Sequence, residues 1–156
     1  LQNISGLFNF TKFKTLNLGK CENLQNIDGL SNLTNLTKLD LSYCKQLTNI
    51  DALSNLKNLE NVVLFNCDNL KNVDALFTLT NITKLVCLNI NNFDRISNLT
   101  KLQNLSLSID VGMENLDVLK KLSSLKYLIL YGGGLVNFDK YEYLKKNLPG
   151  LDISYS

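Results

Sequence analysis

Apolar residues return along this chain in two alternating rhythms. The first has a period of two: Leu16 and Leu18, Leu39 and Leu41, Val62 and Leu64, Leu85 and Cys87, Leu105 and Leu107, Leu128 and Leu130 each bracket one residue. These pairs predict short strands, because successive strand side chains point to opposite faces. The second has a period of three, as in Leu30, Leu33 and Leu36, and suits a helical or 3-10 turn. Both rhythms recur together. Leu16, Leu39, Val62, Leu85, Leu105, Leu128 and Leu151 mark the strand of each unit, with steps of 23, 23, 23, 20, 23 and 23 residues. A strand that comes back to the same side once per unit must lie parallel to its predecessor, so each unit is one coil of a stack. No coil closes a core alone, and stability must come from stacking neighbours.

A polar signature keeps phase with the apolar one. Asn26-Ile27-Asp28 recurs as Asn49-Ile50-Asp51, Asn72-Val73-Asp74, Asn92-Phe93-Asp94, Asn115-Leu116-Asp117 and Asn137-Phe138-Asp139. The Asp of each triplet stands where a helical turn begins, and its preference for the N-cap predicts a structural role there. The 20-residue unit has lost three residues between Ile90 and Asn92. Towards the end, residues 140–147 are more helix-prone than their siblings, and Pro149, the single proline, bars continuation.

With the outline L-x-L-x-x-C-x-x-L-x-N-I-D-x-L-x-x-L-x-x-L, the chain resembles the leucine-rich repeat family along its whole length. It is most similar to the short-repeat, internalin-like subclass, with Cys21, Cys44 and Cys67 where that family more often carries a ladder of Asn. The later coils place Ile90, Asp110, Gly133 and Ser156 in that column. The resemblance implies an α/β fold: a right-handed solenoid, or horseshoe, with a parallel sheet on the concave face and short helical or 3-10 turns on the convex face. Residues 1–156 then form one domain of about six repeats with partial repeats at both ends. Leu1 to Leu7 matches Leu24 to Leu30 at six of seven positions, so the sequence is expected to be a fragment of a longer array.

Composition narrows the chemistry. The chain has 34 Leu and 23 Asn in 156 residues, 45% hydrophobic and 19% charged, with no His and no Trp. Without His the usual general base at neutral pH is missing, as are Ser-His and Cys-His nucleophile pairs and most catalytic zinc sites. The expectation is no enzyme, no cofactor and no metal. A net charge of +2 is too small and dispersed to point to nucleic acid, and no apolar run is long enough to insert into a membrane.

The cysteines and asparagines carry the remaining candidate chemistry. Cys21, Cys44, Cys67 and Cys87 are expected to be reduced, buried and unmetallated, which favours a cytoplasmic setting over a secreted or cell-surface one. Seven Asn-x-Ser/Thr triplets, at Asn3, Asn9, Asn32, Asn35, Asn81, Asn98 and Asn104, arise readily in so Asn-rich a background; Asn32 and Asn35 are expected on the convex side. Gly132-Gly133-Gly134 lacks the Lys-Ser/Thr of a phosphate loop and reads as a coil turn.

Function should lie on outward strand positions, because inward ones are spent on stacking. Lys38, Asp40, Val63, Phe65, Lys84, Val86, Leu88, Tyr127, Ile129 and Tyr131 are the expected partner-binding residues, with Ser106 and Ser108 as a small polar strip among them. Apolar side chains gathered on a solvated strand face mark a contact surface, and Phe65 and Tyr131 are the expected anchors. The residues and the resemblance together imply a non-catalytic module that binds a protein partner, with self-association as another fate for the patch. The alternatives are an adhesin or receptor ectodomain and a regulatory or substrate-selecting domain of a larger enzyme.

Overall fold

A computed structural model describes residues 2–88, 90, 92–108, 115–132 and 138–156. Seven strands form one parallel sheet in chain order: β1 (Thr15–Asn17), β2 (Lys38–Asp40), β3 (Asn61–Leu64), β4 (Lys84–Cys87), β5 (Asn104–Ser108), β6 (Tyr127–Tyr131) and β7 (Asp152–Tyr155). The pairings Leu16 to Leu39, Leu39 to Val62, Val62 to Leu85, Leu85 to Leu105 and Leu105 to Leu128 are those of the sequence repeat, the 20-residue coil included. The opposite side carries 3-10 turns at Ser5–Leu7, Asp28–Leu30, Asp51–Asn55, Asp74–Thr78, Phe93–Asn98 and Leu116–Lys121, then one α-helix, α1 (Phe138–Asn147). The result is an open horseshoe, with the sheet as its concave wall.

The last coil departs from the expected register. Leu128 pairs with Ile153 rather than Leu151, a step of 25 residues. An α-helix rises about 1.5 Å per residue against about 2.0 Å for a 3-10 helix, so crossing the convex side by α1 consumes more chain. Asp152 and Ser154 therefore oppose Tyr127 and Ile129, and Gly150 falls before the strand.

One apolar column after another fills the space between the two walls. Leu33, Leu36, Leu53, Leu56, Leu59, Leu79, Ile82, Leu99 and Leu102 have no exposed surface at all. Full burial of each such side chain contributes about 1.5–3 kcal/mol, and only because a neighbouring coil covers it. The first coil shows the converse. Phe10 and Phe13 occupy the columns of Leu33 and Leu36, yet they are 50% and 37% exposed and stack on each other with ring centroids 5.3 Å apart.

Polar columns stitch the coils together. Asn35, Asn58 and Asn81 each donate an amide N–H to a carbonyl one coil back, on Thr11, Thr34 and Lys57, at 2.8–2.9 Å. This asparagine ladder runs at the strand entrance, so Asn35 is engaged there rather than free on the convex face; Asn32 is exposed. The expected Asp caps are not formed in the 3-10 turns from Asp28 to Lys121. In the first three triplets it is the Asn side chain that accepts the N–H of the Asp: Asn26 from Asp28, Asn49 from Asp51, Asn72 from Asp74. The Asp is already the first residue of the 3-10 turn and its carboxylate faces outward. Further along, those carboxylates link coils: Asp74 accepts from Asn92 (3.0 Å) and pairs with Arg95 (2.9 Å), and Asp94 accepts from Asn115 (2.9 Å).

A third column lies just beyond the strands. Lys20, Tyr43 and Asn66 each adopt the left-handed conformation, with φ of 64°, 60° and 53°. This turn delivers the following cysteine into the stack: Cys44 Sγ donates to the Leu18 carbonyl (3.3 Å) and Cys67 Sγ to the Leu41 carbonyl (3.2 Å). All four cysteines are free thiols. Cys44, Cys67 and Cys87 are buried, whereas Cys21, in the first coil, is only half-buried. Burial pushes the Cys44 thiol up to about 11 and the Cys67 thiol up to about 12. Asp110, Gly133, Gly134 and Asn137 lie outside the described residues.

Candidate functional site: the concave sheet face

Strand alternation and coil register convert the outward residues into three parallel rows. The first row runs Thr15, Lys38, Asn61, Lys84, Asn104, Tyr127, Asp152, each paired with the next in the parallel ladder. Lys38 and Lys84 are exposed, and Tyr127 is 51% exposed. The middle row runs Asn17, Asp40, Val63, Val86, Ser106, Ile129, Ser154. Asp40, Val63, Val86 and Ile129 are half-buried. The Asp40 carboxylate is occupied, accepting from the Ser42 N–H (2.8 Å) and the Ser42 hydroxyl (2.5 Å).

The third row holds the aromatic residues, and here the structure brings together what the sequence keeps apart. Phe65 and Tyr131 meet edge to face, with centroids 5.4 Å apart, and Tyr43 packs on the other side of Phe65 at 5.6 Å. Backbones of β3 and β6 are three strand spacings apart, about 14 Å. The two side chains bridge that distance by leaning toward each other. The expected anchors are thus one half-buried unit rather than two independent exposed residues. Tyr43 was not among the expected residues; its only sequence signal is an aromatic in a loop column filled by Lys20 and Asn66 in neighbouring coils.

The polar strip is also corrected. Ser106, between Val86 and Ile129 in the register, is only 7% exposed, so the surface of the middle row from Val63 to Ile129 is mostly that of its three apolar members. Ser108 remains half-exposed. Two shallow depressions flank Lys84. One, about 200 Å³, extends over Lys38, Asp40, Asn61 and Val63; the other, about 280 Å³, over Asn104, Tyr127, Ile129 and Asp152.

Among the described residues no group of three or more Cys, Asp or Glu is placed to hold a metal ion, and no helix is long and apolar enough to cross a membrane. The most polarised cluster is convex: Lys120 (2.6 Å) and the Tyr143 hydroxyl both donate to Asp117 and hold its carboxyl below the usual carboxylate range. It joins a 3-10 turn to α1 in full solvent, a structural bridge of the kind seen at Asp74 and Asp94.

Comparison with known proteins agrees with the architecture. A family model described as Zer-1-like, leucine-rich repeats, matches residues 28–96. No curated protein sequence matches the chain. Among solved structures, internalin C2 of Listeria monocytogenes superposes with a TM-score of 0.78 at 25% identity, over 100% of this chain and 69% of that one. A leucine-rich-repeat protein of Leptospira interrogans superposes with a TM-score of 0.58 at 20% identity, over 99% of this chain and 46% of its own, and shares the fold. The 23-residue coil, the seven-stranded parallel wall, the family model over residues 28–96 and the internalin likeness converge on one architecture: the chain has the leucine-rich-repeat horseshoe fold.

Proposed function

We propose that this chain is a non-catalytic protein-binding module and that the partner lies on the concave face. Leucine-rich repeats are in general protein-interaction scaffolds, and one observation supports this particular surface. The solvent side of the sheet carries an apolar row, Val63, Val86 and Ile129, interrupted only by the buried Ser106, beside the Phe65–Tyr131 ring pair. Water covers that row in the isolated chain, and displacing it is the main source of binding energy available here. Lys38, Asp40, Lys84, Leu88 and Tyr127 rim the same strip and set orientation.

The test is a substitution that spoils the strip without touching the core. Val86→Arg puts a charge in the centre of the apolar row, while Lys121→Ala alters the convex wall. A protein captured by the wild type and by Lys121→Ala, and lost by Val86→Arg, supports the concave face. Equal capture by all three places the interface elsewhere. Lys57 is a poorer convex control, because its ammonium donates to the backbone and hydroxyl of Thr78.

The likeness to internalin C2 over the whole chain supports a second reading, a surface recognition module of internalin type. Labelling of intact cells with a membrane-impermeant amine reagent separates the two: modification of this chain supports surface display, and protection until lysis opposes it.

A further inference from the structure

We propose that the concave face takes an acidic, apolar-bearing peptide segment in the polyproline II conformation, laid across the strands. This deepens the concave-face reading and rests on it. The cation spacing carries the argument. Lys38 and Lys84 stand in one row on β2 and β4, two strands apart, and Tyr127 follows in the same row two strands further on. At about 4.8 Å per strand the backbone positions that carry these groups repeat every 9.6 Å or so. A polyproline II helix has three residues per turn and rises about 3.1 Å per residue, so every third side chain falls on one line at about 9.3 Å. An extended strand repeats each face at about 6.7 Å and loses step within one interval.

Charge and apolar surface fix what the segment presents. Among the described residues the ion pairs are Lys45 with Glu22, Arg95 with Asp74 and Lys120 with Asp117; neither Lys38 nor Lys84 takes part. Of the carboxylates on this face, that of Asp40 stands beside Lys38 on β2 and accepts from Ser42 through one oxygen, and that of Asp152 lies past Tyr127 at the far end of the row. Carboxylates at every third residue of the segment therefore meet Lys38 and Lys84, and a following one accepts from the exposed Tyr127 hydroxyl. A second line of the same helix, one third of a turn away, lays apolar side chains along the strip that holds Val63, Val86 and Ile129. A polyproline II backbone makes no hydrogen bonds of its own, and Asn61 and Asn104, alternating with the lysines, offer amides to it. The two depressions on either side of Lys84 give this track its floor.

Fluorescence anisotropy with a labelled peptide of four tandem Glu-Pro-Leu triplets tests the assignment. Its turns present Glu on one line, Leu on a second and Pro to solvent. Expected is binding at least about tenfold tighter than to four Lys-Pro-Leu triplets or to six alternating Glu-Leu pairs, and weakened as salt rises from about 0.1 to about 1 M, where the Debye length falls from about 10 to about 3 Å. Lys84→Glu should lose about tenfold for the Glu-Pro-Leu probe and gain affinity for its Lys-Pro-Leu counterpart. No preference for acidic over basic triplets, no loss in Lys84→Glu, or tighter binding of the alternating peptide or of a thymidine dodecanucleotide would overturn the proposal. If the Glu-Pro-Leu probe fails while Val86→Arg still abolishes capture of a protein, the concave-face reading stands and the segment class falls.

Discussion

One methyl group added at Gly29 should open the seam between the first two coils. A Cβ there would sit 2.3 Å from the Ile4 carbonyl oxygen, 2.8 Å from its carbon and 3.0 Å from the Ser5 Cα, all backbone atoms that no rotamer change can move. Restoring ordinary contact requires the first coil to retreat by about 1 Å, and overpacking of this kind costs about 1–3 kcal/mol. Ala also restricts the unfolded chain, which returns about 0.4–1 kcal/mol. The expected net loss for Gly29→Ala is about 1–2 kcal/mol. Gly6 is its internal control, holding the same place one coil earlier with nothing within 4 Å. Gly6→Ala should be neutral or stabilising by up to about 1 kcal/mol. Urea unfolding followed by circular dichroism measures both, and hydrogen exchange at the Leu7 and Gln25 amides localises the effect, since the latter bonds across the seam to the Gln2 carbonyl. Gly29→Ala proving as stable as Gly6→Ala would refute the reasoning. Ala52 and Ala75 occupy the same column in later coils, so the restriction belongs to the first seam rather than to the repeat.

Other expectations concern the thiols, the ladder and the ring pair. Because Cys44 and Cys67 keep their protons in the fold to about 11 and 12 against an ordinary 9.0, the unfolded chain releases protons first as pH rises. Their stabilising contribution is complete below about pH 9 and falls by up to about 1.4 kcal/mol per pH unit for each thiol between pH 9 and 11, a slope that Cys44→Ala and Cys67→Ala should reduce in pH-dependent urea titrations. Asn58→Ala removes the central rung of the amide ladder and leaves the Thr34 carbonyl without that donor; thermal unfolding should show a loss of about 1 kcal/mol. Phe65→Ala and Tyr131→Ala should be non-additive by about 0.5–1.5 kcal/mol in a double-mutant cycle, and strict additivity would deny the edge-to-face contact.

Much of this fold is written in a one-dimensional period, and what the period expresses was readable. Each strand site from Leu16 to Leu128 lies where the alternation puts it, because a coil has no freedom to shift register without turning its Leu columns outward. Leu151 misled because Ile153 is an equally apolar alternative, and only the length of α1 decides between them. In the Asn-x-Asp triplet two residues can each accept a backbone N–H, so composition does not say which one does. The outward rows of the sheet were legible from alternation alone. Ser106 was not, since its burial comes from the width of its neighbours across two strands. Nor was the meeting of Phe65 with Tyr131, 66 residues apart in the chain, which depends on how two side chains lean across three strand spacings rather than on any local pattern.

The strand-entry carbonyls hold one more consequence, and it is mechanical. Lys14, Thr37, Glu60, Thr83 and Gln103 each accept two successive N–H groups from the next coil, so the five seams from β1 to β6 share the same stitch, and Lys126 accepts one at the last. Tension applied through the two termini loads these stitches one at a time from the ends, not all at once as in shear. A 23-residue coil, once peeled, lengthens from one strand spacing to an extended chain, a gain of about 70–80 Å. The chain should therefore pay out under force as a series of nearly equal steps, with the 20-residue coil recognisable as the one step shorter by about 10 Å. Such a horseshoe behaves as a ratcheted tether, yielding length in fixed increments while the coils not yet reached keep their shape.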